Sequence, residues 1–122
     1  MIEIHPLRDK DKLSVLYNQA KLDMNEHSIA VVASDGDEAL GYCLFDMNDD
    51  NLLVHCLSPQ DDIMFADGLL RSALHVGVEN GVNKAFYSVN APVELFRKLR
   101  FIKDDSINEL NVQLLFSSCE NC

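Results

Sequence analysis

Three apolar runs, IAVVA at 29–33, LGYCLFDM at 40–47 and NLLVHCL at 51–57, follow one another with only a few polar residues between them. Such spacing leaves no room for a crossover, so each run must fold straight back along its predecessor as an antiparallel strand. The connections agree. SDGDEA offers Asp35 and Gly36 for a tight turn, and NDD stands between the second and third runs. Pro59 has no N–H to give a ladder and ends the third run.

Beyond Pro59 the period changes. Leu70, Leu74 and Val78 recur at intervals of four, which predicts a helix from about Asp67 to Asn80, with Asn80-Gly81 as its stop. KAFYSV at 84–89 then reads as a strand, PVELFRKL at 92–99 as a short helix, and the alternation Leu110, Val112, Leu114, Phe116 as a final strand. At the other end Ile2, Ile4 and Leu7 predict a first strand. Asp9 can cap a following helix, ending near Asn25, whose apolar residues are Leu13, Leu16, Tyr17 and Ala20. Because a helix connects 51–57 to 84–89, those two strands are expected to lie side by side and parallel. The whole reads as an α+β fold with one mixed sheet, a single domain over 1–122 with 117–122 as a tail.

Charge removes several function classes. Ten basic against twenty acidic residues give a net charge of −10, which repels nucleic-acid backbones and anionic lipid. No stretch approaches the roughly 18–20 apolar residues of a membrane span, and the N-terminal residues have no apolar core of a signal peptide, so the expected location is cytoplasmic. The four cysteines are then reduced thiols, with Cys43 and Cys56 inside apolar strands as small core residues. Cys119 and Cys122 form C-E-N-C; a pair supplies only two of the four ligands of a structural zinc, unless a dimer brings a second pair.

The order of elements, with GYCLFDM on the third strand, LSP at 57–59, DGLLRSAL at 67–74 and ELFRKLRF at 94–101, resembles the GCN5-related N-acetyltransferase (GNAT) family from about Ile2 to Phe116. The resemblance implies an acyl-CoA-dependent N-acetyltransferase acting on a small amine, with acetyl-CoA lying where the fourth and fifth strands splay apart. It implies that an amide near Leu57 holds the acyl carbonyl. The pyrophosphate would rest on amides of the turn from Phe65 through Asp67, Gly68 and Leu69 to Leu70, with Asn90 and Phe96 also at the cofactor. One-ended amide groups and the helix dipole make such an anion site without side-chain charge. The family usually has two helices between its first two strands; this segment is short for two, which leaves the acceptor wall open or completed by a second copy in a homodimer.

The residues also depart from the family pattern. Aligned on Gly68, the phosphate loop of Arg or Gln, two residues, Gly, one residue, Gly or Ala reads Phe65, Gly68, Leu70, and Asp61, Asp62 and Asp67 add negative charge there. Asp67 as a plain helix cap with Gly68 in the first turn explains the same residues. Phe96 stands where the family often has a tyrosine acid, and Arg100 replaces the glycine before Phe101. For a base, His55 has the right ordinary pKa range. Simple strand alternation puts His55 and Cys56 on opposite faces, so they act together only across a bulge. His75 lies mid-helix, Tyr42 and Tyr87 on strands, and Arg97, Lys98, Arg100 and Lys103 form a concentrated basic patch. Two readings remain: an N-acyltransferase, or a non-catalytic domain of the same fold kept as a ligand-binding or dimerisation module.

Overall fold

The computed structural model describes residues 1–117. Cys119 and Cys122, and with them the C-E-N-C reading, lie outside the described residues. Strand β1 covers Ile2–Leu7, helix α1 Lys10–Gln19, β2 Ser28–Asp35, β3 Glu38–Met47 and β4 Leu52–Ser58; α2 covers Ile63–Glu79, β5 Ala85–Tyr87, α3 Val93–Lys98, β6 Glu109–Leu110 and α4 Leu114–Ser117. The six strands form one sheet in sequence order. β1 to β4 pair antiparallel, β4 and β5 pair parallel through the α2 crossover, and β5 pairs antiparallel with β6. The expected parallel neighbours are therefore present.

Period-two alternation sorts the sheet into two faces. Ile29, Val31, Ala33, Cys43, Phe45, Leu52, Val54 and Leu57 turn to one face and pack under Ala66, Leu69, Leu70, Ala73 and Leu74 of α2. Ala30 and Leu44 turn to the other and meet Leu13 and Tyr17 of α1. Tyr17 is buried to its hydroxyl, which shares its proton between the carbonyls of Ile29 at 3.0 Å and Phe45 at 3.1 Å and so ties α1 across β2 and β3. Burial, with Asp46 nearby, pushes this phenol far above its ordinary pKa.

Three elements differ from the sequence expectation. α2 begins at Ile63, four residues before the predicted Asp67, because Asp62 rather than Asp67 is the cap: its carboxylate accepts the Phe65 amide at 3.1 Å. The predicted final strand is only two residues long and gives way to α4. Asn111 makes the change, since its side-chain oxygen accepts the Gln113 amide and its carbonyl accepts the Leu114 amide, a local turn that outcompetes continued pairing. α1 also ends sooner than expected, at Gln19, where Lys21 takes a left-handed conformation at φ 60°.

Candidate functional site

β4 and β5 stay together for only three pairs, Leu52 with Ala85, Leu53 with Phe86 and Val54 with Tyr87. A last rung follows, Ser88 donating its amide to the Val54 carbonyl at 2.9 Å, after which β4 runs on to Ser58 without β5 beside it. The sheet opens there. At the same point β4 carries one residue too many against β3: Leu44 faces Cys56 and Phe45 faces Val54, so His55 is the extra residue of a bulge. The bulge resets the alternation. Val54 and Leu57 both enter the α2 core, while Cys56 packs with Leu44 on the α1 face and His55 reaches Asp46 on that face too. Strand alternation alone places His55 and Cys56 on opposite faces; the bulge corrects this and puts them together.

His55 Nε2 lies 3.0 Å from Asp46 Oδ2, with side chains 16% and 11% exposed. Asp46 also accepts from Ser28 Oγ at 2.9 Å and from Asn25 Nδ2 at 3.2 Å. Ser28 Oγ in turn accepts the Asn25 amide at 2.9 Å, so the loop before β2 is folded around this carboxylate. Burial alone pushes the Asp46 pKa up, but the hydrogen bonds from His55, Ser28 and Asn25 outweigh it and hold the group below the ordinary carboxylate range. Asp46 was not singled out by the sequence, although an acidic residue in the apolar run GYCLFDM was the available signal. Cys56, half-buried beside His55, is a protonated thiol, since burial raises its pKa.

α2 begins at Ile63, shortly after β4 ends at Ser58. With Phe65 N–H held by Asp62 and Ala66 N–H by the Asp62 carbonyl, the amides left without a helical partner are those of Ile63 and Met64. Gly68 and Leu69 are in the second turn and Leu70 is fully buried, so their amides lie inside the helix ladder. A Cβ on Gly68 would sit 3.7 Å from Ile4 Cδ1, which makes Gly68 a contact to β1. Asp67 pairs with Arg71 at 2.8 Å, and Arg71 continues to the Leu114 carbonyl and over the Phe101 ring. Phe65 packs against β3 at Gly41, where a Cβ would approach the Phe65 ring to 2.9 Å and the Ser58 carbonyl to 2.6 Å. Counted from the observed helix start instead of from Gly68, the loop pattern would move back by four residues. Its three positions then fall on Asp61, Met64 and Ala66, of which Ala66 fits.

Leu57 is buried by its side chain, so only its backbone can serve a ligand, and Asn90 is exposed in the turn after β5. Phe96 is fully buried and meets Tyr87 edge-on at 5.9 Å. In the basic patch Arg97 is held by Glu94 and, at 3.0 Å, by Asp105, while Lys98, Arg100 and Lys103 are exposed. His75 is exposed beside Glu79. Two cavities lie elsewhere: one of about 390 Å³ between β1 and α2, lined by His5, Arg71 and His75, and one of about 970 Å³ below β5 and β6, lined by Lys84 and Lys103. No helix among the described residues is long and apolar enough to cross a membrane.

No family model and no curated protein matches the sequence. Solved structures do match. An aminoglycoside 6'-N-acetyltransferase from Enterococcus faecium superposes at TM-score 0.51 and 19% identity over 70% of this chain, which spans only 60% of that protein. A ribosomal-protein-alanine N-acetyltransferase from Brucella melitensis biovar Abortus 2308 gives TM-score 0.59 at 16% identity, covering 81% of this chain and 90% of the other. A GNAT-family acetyltransferase from Streptococcus pneumoniae TIGR4 gives 0.54 at 22% identity, covering 84% and 88%. The chain has the GNAT fold.

Proposed function

We propose that this chain is an acyl-CoA-dependent N-acyltransferase acting on a small amine, with His55 as the base. One observation carries the reading: His55 stands on the bulge where β4 and β5 part, on the face opposite α2, with a carboxylate behind it. The parting is wide enough in sequence, from Val54 and Ser88 onward, to leave β4 backbone groups unpaired on its β5 side. With alternation reset at the bulge, Leu57 N–H would lie on that side and bind a carbonyl oxygen as charge develops on it. Acyl-CoA fits these groups through backbone alone: Leu57 for the acyl carbonyl, Ile63 and Met64 amides for a phosphate.

In the reaction the amine nitrogen attacks the thioester carbonyl carbon; the new C–N bond forms as the C–S bond breaks, and the sulfur leaves with the electron pair. The proton shed by the amine goes to His55. Phe96 cannot donate a proton, so the departing thiolate takes one from solvent, which a thiolate tolerates because it leaves well. The second reading, a non-catalytic module of this fold, is favoured by Asp61 and Asp62 at the helix mouth, where an anion should sit.

Titration calorimetry with acetyl-CoA separates them. Weak binding by the wild type is expected, since an end-of-helix charge interaction is about 0.3–1 kcal/mol and the aspartates oppose it. Asp61→Asn should tighten binding roughly two- to five-fold, the same energy expressed as a ratio. Asp67→Asn should leave binding unchanged, because Asp67 is occupied by Arg71 one turn into the helix. No binding by any of the three would favour the non-catalytic module.

A further inference from the structure

We infer that Asp46 is a positioning residue that fixes His55 in its Nε2–H tautomer and leaves Nδ1 as the nitrogen that accepts a proton; this rests on the acyltransferase reading for its use, not for its geometry. Every other group on the carboxylate is a donor. Oδ1 takes Ser28 Oγ–H at 2.9 Å, and Oδ2 takes Asn25 Nδ2–H at 3.2 Å together with His55 Nε2 at 3.0 Å. An ionised carboxylate has nothing to give, so the nitrogen facing it must carry the hydrogen. In neutral imidazole the other nitrogen then holds the lone pair.

The scaffold makes the tautomer hard to escape. Asp46 sits mid-sheet on β3, and its two further donors come from β2 and from the loop that leads into it, so the carboxylate cannot swing away with the ring. His55 is held in turn by its place on the bulge, which no neighbouring β3 residue pairs. The titratable group facing the pair is Tyr17 from α1, whose phenol is neutral and supplies no competing charge at neutral pH. A base needs its lone pair on the nitrogen that the acceptor amine reaches, which in this tautomer is Nδ1.

Long-range 1H–15N correlation spectra of protein labelled in histidine nitrogens, with His55 assigned through His55→Gln, read the tautomer directly. The expected result for the wild type above the imidazole titration is a protonated Nε2 and an unprotonated Nδ1. Ser28→Ala keeps the Asp46 acceptor and should keep the tautomer. Asp46→Asn replaces an all-acceptor group among three donors, and should give a mixture of tautomers. A wild-type Nδ1–H tautomer, or one that Asp46→Asn leaves unchanged, would overturn the inference. Acyl transfer from acetyl-CoA to a panel of small primary amines gives the second arm. Asp46→Asn should lower kcat by about tenfold or more with little change in KM for acetyl-CoA, and move the acidic limb of the pH–rate profile, a fraction of the 10²–10⁴-fold that a general base supplies. A locked tautomer in a wild type that transfers no acyl group would reject the proposed activity while leaving the tautomer assignment intact.

Discussion

Among the described residues three helices end in the same way, and one of them does so with the residue that the ending favours. After α1, α2 and α3 the chain passes through Lys21, Gly81 and Arg100 at φ 60°, 80° and 68°. In each case the following amide reaches back over the last turn, Leu22 to the Tyr17 carbonyl at 2.9 Å, Val82 to Gly77 at 2.8 Å and Phe101 to Phe96 at 3.1 Å. The left-handed residue itself bonds one step on, to Asn18, Val78 and Arg97. This paired bonding is the Schellman ending, which places a left-handed residue just past the cap. A side chain there costs about 1–2 kcal/mol, and glycine returns about 0.4–1 kcal/mol of that through its freer unfolded chain. The side chains of Lys21 and Arg100 are exposed, so little packing is lost with them. Lys21→Gly and Arg100→Gly should each raise stability by about 0.5–1 kcal/mol, or roughly 2–5 °C in Tm for a domain of this size. Gly81→Ala should lower it by a similar amount, because a Cβ there meets nothing within 4 Å and only the backbone term acts. Urea denaturation followed by circular dichroism measures all three. Arg100→Gly that destabilises, or Gly81→Ala that is neutral, would refute the reasoning.

Gly41→Ala should destabilise by about 1–3 kcal/mol in the same assay, since its Cβ would lie 2.6 Å from the Ser58 carbonyl and 2.8 Å from Pro59 Cδ, backbone and ring that cannot yield freely. Phe96→Tyr, which restores the residue type of the family's acid, should lose about 1–3 kcal/mol and gain no activity, because the hydroxyl enters a fully buried site. For Asp46 the folded pKa is lowered, so its contribution to stability is fully present above the unfolded value near 3.9 and is lost as pH falls through the folded one. Thermal melts between about pH 2 and 6 should therefore show a steeper loss in the wild type than in Asp46→Asn; equal slopes would remove the hydrogen-bonded carboxylate from the account.

The antiparallel meander and the parallel crossover were legible because their signals are local and unambiguous: apolar runs at strand length, turns with Asp35 and Gly36, and a proline where the third run stops. The start of α2 was not. Asp61, Asp62 and Asp67 are all competent caps, and the first-turn residues Ile63 and Met64 are 43% and 86% exposed, so the buried stripe that reveals a helix appears only from Ala66 onward. The last strand misled for the opposite reason. Leu110, Val112 and Leu114 alternate as a strand should, but Asn111 turns the chain, and alternation over so few residues is compatible with a turn followed by a helical one. The bulge left no trace in composition, since one surplus residue has no chemical signature until its partner strand is known.

The helix start and the bulge change the site in opposite directions. With α2 starting at Ile63, Asp67, Gly68 and Leu70 lie beyond the first turn and Asp61 and Asp62 stand at its start, and the Asp62 carboxylate occupies the Phe65 amide that the proposed function would leave for an anion. The anion end of the proposed site is thus poorer than the sequence implies: two amides without a helical partner, those of Ile63 and Met64, directly follow two aspartates. The bulge enriches the other end. By adding one residue opposite Leu44 and Phe45 it brings Cys56 onto the face where alternation already sets His55 beside Asp46, at the point where β5 departs. A site weak in phosphate contacts and well built around its base would bind acyl-CoA loosely yet still direct a proton. That combination calls for separate measurements of binding and of proton transfer, because either one alone would misjudge the chain.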